Sequence, residues 1–135
     1  MKLIVCIAAV IFCNSCGHSP LVSQLQGSDS VAVRFKEPLT GKIIKEVATS
    51  QAYAIQDLLR FAGSEETAQL KCSYDGDIIF YKKGKVAGDV SFNYTTDVCR
   101  HFLFMINGKL TATKMSYEAV DFLKDLSLKA NNSKP

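Results

Sequence analysis

Apolar and polar positions along the chain alternate with two different periods, and the switch between them marks the elements. Val31 to Phe35 reads as a short strand, and Lys42 to Val47 as a second one. Glu37-Pro38-Leu39-Thr40-Gly41 supplies turn residues between them, so the pair predicts a hairpin. The period then lengthens. Ile55, Leu58, Leu59 and Ala62 fall on one face at spacings of three and four, which predicts a helix capped by Thr49 or Ser50 and stopped by Gly63. Period two returns at Leu70, Cys72 and Tyr74, which alternate with Lys71 and Ser73. Asp75-Gly76 predicts a turn into a strand over Ile78 to Tyr81, and Lys83-Gly84 a turn into Val86 to Tyr94. In that strand Val86, Val90, Phe92 and Tyr94 share one face, with Asp89, Ser91 and Asn93 opposite. Asp97 to Ile106 is apolar on both faces, as a central or doubly covered strand would be. Asn107-Gly108 is the strongest hairpin signal in the chain and leads into Leu110 to Lys114. Ser116 then caps a last helix whose buried stripe is Val120, Leu123 and Leu126, with Ala119 and Phe122 alongside.

The predicted order is hairpin, helix, a run of strands, helix. This is an α+β domain over residues 31–130, an antiparallel sheet of about five to seven strands with two helices packed on one face. The last five residues, 131–135, carry no pattern and are expected to fray.

The first sixteen residues follow different rules. Met1-Lys2 is followed by an eleven-residue apolar run, Leu3 to Cys13, and then by Asn14-Ser15-Cys16. One positive charge, an apolar stretch and small residues at its end form the three regions of a secretory signal. As a helix the run would span only about 16 Å, against a hydrocarbon core of about 30 Å. The segment Phe12-Cys13-Asn14-Ser15-Cys16 resembles the lipobox of bacterial lipoproteins, with Ser15 fitting the position before the cysteine; Cys13 and Asn14 depart from the strict pattern. The resemblance covers only the leader. It implies that the chain is cut before Cys16, that Cys16 carries a diacylglyceryl group, and that the protein is anchored to the membrane by lipid. Residues 1–15 are then the signal peptide. Residues 16–30, small and polar, are expected to be a tether. Ordinary signal-peptidase cleavage, after Ser15 or Gly17, is the alternative and gives a soluble secreted or periplasmic protein.

The cysteine count follows from this division. Of five cysteines, Cys6 and Cys13 leave with the leader and Cys16 takes lipid, so Cys72 and Cys99 remain as an expected disulfide in an oxidising compartment. In a sequential meander their strands would lie about 14 Å apart, whereas a disulfide needs Cα atoms within about 7 Å. The bond therefore requires a curled or reordered sheet, or Cys99 in a loop that folds back. Two free buried thiols, or a metal site adding His101, are the other readings of these residues; zinc needs three or four ligands.

Charge and composition exclude more than they indicate. The chain carries 16 Lys and Arg against 13 Asp and Glu, a formal charge of +3, too small to argue for nucleic acid or an anionic membrane; Lys82, Lys83 and Lys85 cluster, but around an expected turn. His101 is the only candidate histidine base outside the N-terminal segment, and it lies in an apolar strand. The sequence contains no Gly-x-Ser-x-Gly elbow, His-Glu-x-x-His, P-loop or Gly-x-Gly-x-x-Gly. Asp75-Gly76-Asp77 has the start of a calcium loop without its later ligands. Glu65 and Glu66 sit in an expected loop. No cofactor is implied.

Aromatic residues gather in the strand region, and Tyr74, Tyr81 and Tyr94 are the candidates for a binding face if one side of the sheet is open. The sequence thus leads to a small, non-enzymatic, lipid-anchored module of the bacterial envelope. Its expected partners are the membrane, through the N-terminal lipid, and a protein of the envelope. A hydrolase using His101 with an acidic partner, or a structural envelope component, are the alternatives.

Overall fold

The computed structural model describes residues 19–132. The leader, Cys16 and His18 lie outside the described residues, as do residues 133–135. The chain folds as α1 (Pro20–Leu25), β1 (Ser30–Lys36), β2 (Ile43–Thr49), α2 (Ala52–Ala62), β3 (Glu66–Thr67), β4 (Gly76–Lys82), β5 (Lys85–Asn93), a 3-10 turn (Asp97–Cys99), β6 (His101–Ile106), β7 (Lys109–Lys114), α3 (Tyr117–Lys129) and β8 (Asn131–Asn132). All pairings are antiparallel, in the order β3-β7-β6-β5-β4-β1-β2-β8. This is the α+β class that the pattern predicts, with a four-strand meander, β4 to β7, extended at β4 by the β1–β2 hairpin. The two-residue strands β3 and β8 cover part of each outer edge, so less unpaired backbone is offered to other chains.

One face of the sheet carries the core. Val31, Val33, Phe35, Ile78, Phe80, Val90, Phe92, Phe102 and Phe104 point to it and meet Ile55, Leu58 and Leu59 of α2 and Ala119, Val120 and Leu123 of α3. Gly76 is required there: a Cβ at this position would lie 2.1 Å from the Arg34 carbonyl oxygen and 2.5 Å from the Phe92 ring. The Ser116 hydroxyl caps α3 by accepting from the Ala119 amide at 3.1 Å. At α2 neither expected cap forms; Gln51 is the N-cap without a side-chain bond, and Thr49 Oγ1 instead accepts from the Gln51 amide at 3.1 Å.

Five local expectations are corrected. Residues 20–25 are a third helix rather than part of a tether; Ser19 caps it, and Leu21 and Leu25 are buried in the core. Residues 131–132 pair with β2 opposite Glu46 and Lys45. Residues 70–74 form no strand but an irregular strap. The Asp97–Ile106 strand begins only at His101, because Asp97–Cys99 winds into the 3-10 turn. Finally, Val86 does not share the buried face of Val90 and Phe92. A bulge shifts the register between Phe80 and Tyr81, which pair with Gly88 and Val86, so Ala87 is the extra residue and Val86 turns outward, 63% exposed.

Gly63 ends α2 as expected, but its φ of −82° is an ordinary right-handed value. Glycine is needed for room instead: a Cβ would lie 2.6 Å from Ser19 Oγ and 2.9 Å from Val22 Cγ2. The small residue at the end of α2 is what lets α1 dock.

Candidate functional site

The face of the sheet away from the helices is crossed by the strap, residues 68–75, between β3 and β4. Local sequence alone does not hold it there, because a short polar segment has little apolar area to bury. Cys72 supplies the first attachment. It is bonded to Cys99 in the 3-10 turn, with the Cα atoms 6.1 Å apart. The distance problem posed by a meander is solved because neither cysteine is in a strand; the loop carrying Cys99 folds back to the strap.

Three buried polar side chains add further attachments. Asn93 donates from Nδ2 to the Ser73 carbonyl at 2.7 Å and accepts at Oδ1 from the Thr96 amide at 3.3 Å. The Asp75 carboxylate accepts from the amides of Tyr94 and Thr95, at 2.8 and 3.1 Å, and from the Thr95 hydroxyl. Amide donors on an ionised acceptor form the stronger class of hydrogen bond. His101 is 1% exposed. Its Nδ1 lies 2.6 Å from the Cys99 carbonyl and its Nε2 3.2 Å from the Tyr74 hydroxyl. A carbonyl can only accept, so Nδ1 carries a proton and donates to it, while Nε2 and the Tyr74 hydroxyl make the second hydrogen bond. The two rings meet edge to face at 5.6 Å. Among the described residues every buried side-chain polar atom has a partner.

With the strap fixed, a groove of about 540 Å³ opens between it and the β6–β7 hairpin, lined by Gln69, Leu70, Cys72, Tyr74, Leu103 and Leu110. Leu70 and Leu110 are exposed on its walls, and Gln69 Nε2 holds the strap to the Leu110 carbonyl at 2.7 Å. A second apolar groove, of about 330 Å³, runs between α2 and α3 past Tyr53, Phe122 and Leu126.

The three tyrosines do not assemble into one platform. Tyr74 is on the strap side, against His101. Tyr94 is on the helical side, against Phe35 and Phe92 with ring centroids at 6.4 and 5.8 Å. Tyr81 is near the far end of β4, paired with Ser30. Burial pushes the Tyr74 phenol above its ordinary value of 10.0. Tyr94 is also raised, by burial first; a hydrogen bond with Ser127 pulls it back and the Asp75 carboxylate pushes it up again. Only Tyr74 lines the groove.

The chemistry considered for the other candidates has no geometry to support it. Both His101 nitrogens are engaged, neither by a carboxylate. Asp77 is held by Lys36 and by the Ser91 hydroxyl at 3.0 Å, and Asp75 is held by the 94–95 turn, so the pair does not converge on a cation site. Among the described residues there is no group of three His, Cys, Asp or Glu side chains able to hold a metal, and the two sulfurs that a metal would need are bonded to each other. Leu103 and Leu110 are strand residues by pattern and become groove residues only through the strap.

No family model, curated protein or solved structure matches this chain. Among the described residues no helix is long and apolar enough to cross a membrane.

Proposed function

We propose that the protein is a small module of the bacterial cell envelope, anchored by lipid on Cys16, that binds a protein partner in the groove beneath the strap. The observation that carries this reading is the disulfide between Cys72 and Cys99, which fastens an irregular segment across the outer sheet face and leaves Leu70 and Leu110 exposed on either side of a groove. A disulfide of this kind persists in the oxidising compartments to which a signal peptide leads. Exposed apolar side chains around a fixed concavity supply the desolvated anchor points on which protein interfaces depend. The partner suited to this groove presents one or two apolar side chains and backbone groups for the polar rim of Gln69 and Lys71.

The test is site-specific photo-crosslinking in intact cells. A photoreactive residue at Leu70 is expected to give a discrete adduct, one at Leu128 on the exposed side of α3 is not, and Leu110→Asp should remove the Leu70 adduct without unfolding the domain. Equal adducts from Leu70 and Leu128, or a Leu70 adduct insensitive to Leu110→Asp, would contradict the groove as the binding site.

A further inference from the structure

The meander brings two hairpin tips to the same end of the sheet. Lys83-Gly84 closes β4–β5 and Asn107-Gly108 closes β6–β7, both pairs at positive φ as a tight two-residue turn requires. Because β4 to β7 alternate in direction, both tips project from the same end of the sheet, and β1 starts at this end too, with Ser30 opposite Tyr81. The tips carry Lys82, Lys83, Lys85 and Lys109, and among the described residues none of the four forms an ion pair. Against them stand Asp89 and Asp29, whose carboxylate takes the Lys83 amide hydrogen at 2.8 Å. Val86 and Met105 add apolar surface at this end, 63% and 52% exposed.

The chain's entry point lies at the same hairpins. Helix α1 crosses from Ser19, beside Ile106 and Thr111, to Leu25, which lies against Gly88. The Lys82 ammonium reaches the Gln24 carbonyl at 3.4 Å. Only Gly17, His18 and Ser19 follow Cys16 before α1, a reach of about 10 Å even when fully extended. A lipid on Cys16 would therefore hold this part of the domain at the headgroups rather than at the end of a long leash.

We propose that the end of the sheet formed by the two hairpin tips docks on an anionic phospholipid bilayer, with the lysines at the headgroups and Val86 at the interface. The inference rests on the anchoring reading for proximity, and it adds an orientation that anchoring alone does not imply. It also leaves the opposite end, with Leu39 97% exposed in the β1–β2 turn, away from the membrane.

The sequence has no tryptophan, so a single introduced one is a clean reporter. The chain from Cys16 onward is placed on vesicles containing anionic phosphatidylglycerol and brominated lipid chains. It is held by its own lipid or, where mass analysis finds Cys16 unmodified, by coupling that thiol to a maleimide lipid; the mass thus reports on the anchor and the fluorescence on the orientation. A Val86→Trp reporter is expected to be quenched and a Leu39→Trp reporter is not. Each lysine at an anionic surface is worth roughly fivefold in the docked-to-undocked ratio. Combining Lys85→Glu with Lys109→Glu, one on each tip and both away from the positive-φ Lys83, should lower that ratio by at least ~25-fold and bring the Val86→Trp signal down to the Leu39→Trp level. Equal signals from the two reporters, or quenching at position 86 that persists in the double variant or on zwitterionic vesicles, would overturn the proposal.

Discussion

Leu25 and Gly88 are fitted to one another: a Cβ built on Gly88 would lie 2.7 Å from Leu25 Cδ2, so the leucine occupies the space that a side chain on β5 would need. This contact explains how α1 belongs to the fold. Strands β5 and β6 pair only between Ser91–Asn93 and His101–Leu103, although β5 starts at Lys85 and β6 continues to Ile106. Beyond Ser91 and Leu103 the strands part, and Leu21 and Leu25 sit at the opening with Gly88, Asp89 and Met105 around them. Helix α1 is a plug in a split sheet.

Leu25→Ala is therefore expected to behave as a core truncation, costing about 2–5 kcal/mol. Urea denaturation followed by far-ultraviolet circular dichroism measures it. A cost below about 0.5 kcal/mol, as for a surface position, would show that residues 20–25 act as a tether after all.

The disulfide closes a loop with a sequence separation of 27. In the chain-entropy model such a bridge contributes about 3–4 kcal/mol. Reduction, or Cys72→Ala with Cys99→Ala, should lower the denaturation midpoint by the corresponding amount. It should also speed amide exchange in residues 68–75 before the core of β4 and β5 responds. Uniform exchange across strap and core would argue against a strap that is pinned separately.

Tyr74→Phe leaves the buried His101 Nε2 without its hydrogen-bond partner, and the expected cost is about 1–3 kcal/mol. The wild-type tyrosine also predicts an alkaline limit. Its folded value lies above the ordinary 10.0, as does that of Tyr94, so the folded state holds their protons more tightly than the unfolded one. Their contribution is whole below pH 10 and is lost as pH rises through the folded values. Spectrophotometric titration should find two of the five tyrosines ionising late, together with unfolding. If all five titrate together near pH 10, the burial argument fails.

Asp75 makes a charge-assisted cluster with the 94–95 turn, and Asp75→Ala strands the amides of Tyr94 and Thr95. An expected loss of about 2–3 kcal/mol follows from leaving such donors without an acceptor. At the surface, by contrast, Glu118 is held below the ordinary carboxylate range by its hydrogen bond to Arg60, and both side chains are more than half exposed. Its stabilising effect is present at neutral pH, fades as pH falls through the lowered value, and is screened by salt. Arg60→Ala should leave the denaturation midpoint nearly unchanged.

The elements made by local pattern were legible in the sequence. The Lys83-Gly84 and Asn107-Gly108 hairpin turns, the strands β1 and β4, and the stripes of α2 and α3 follow from period and turn chemistry, and the structure places them as expected. What the pattern hid depended on distant contacts. Residues 20–25 are short and flanked by Gly, Ser and Pro, so their apolar pair Leu21 and Leu25 counted for little until the split between β5 and β6 gave it a cavity. The strap alternates like a strand at Leu70, Cys72 and Tyr74, but the bond to Cys99 and the Asn93 and His101 contacts draw it across the sheet instead of along an edge. One inserted residue in β5 turns Val86 outward, since a bulge reverses every facing beyond it. The groove follows from the strap alone: it exists only where the strap crosses β6 and β7.

On the proposed function, export and anchoring would place the groove and the hairpin tips in a compartment where a disulfide lasts and a membrane is near. Intact-mass analysis of the mature protein purified from bacterial membranes tests this most directly. The expected N-terminal residue is Cys16, carrying a diacylglyceryl group. A mature chain that starts at an unmodified Cys16 or at His18, or that retains residues 1–15, would contradict it.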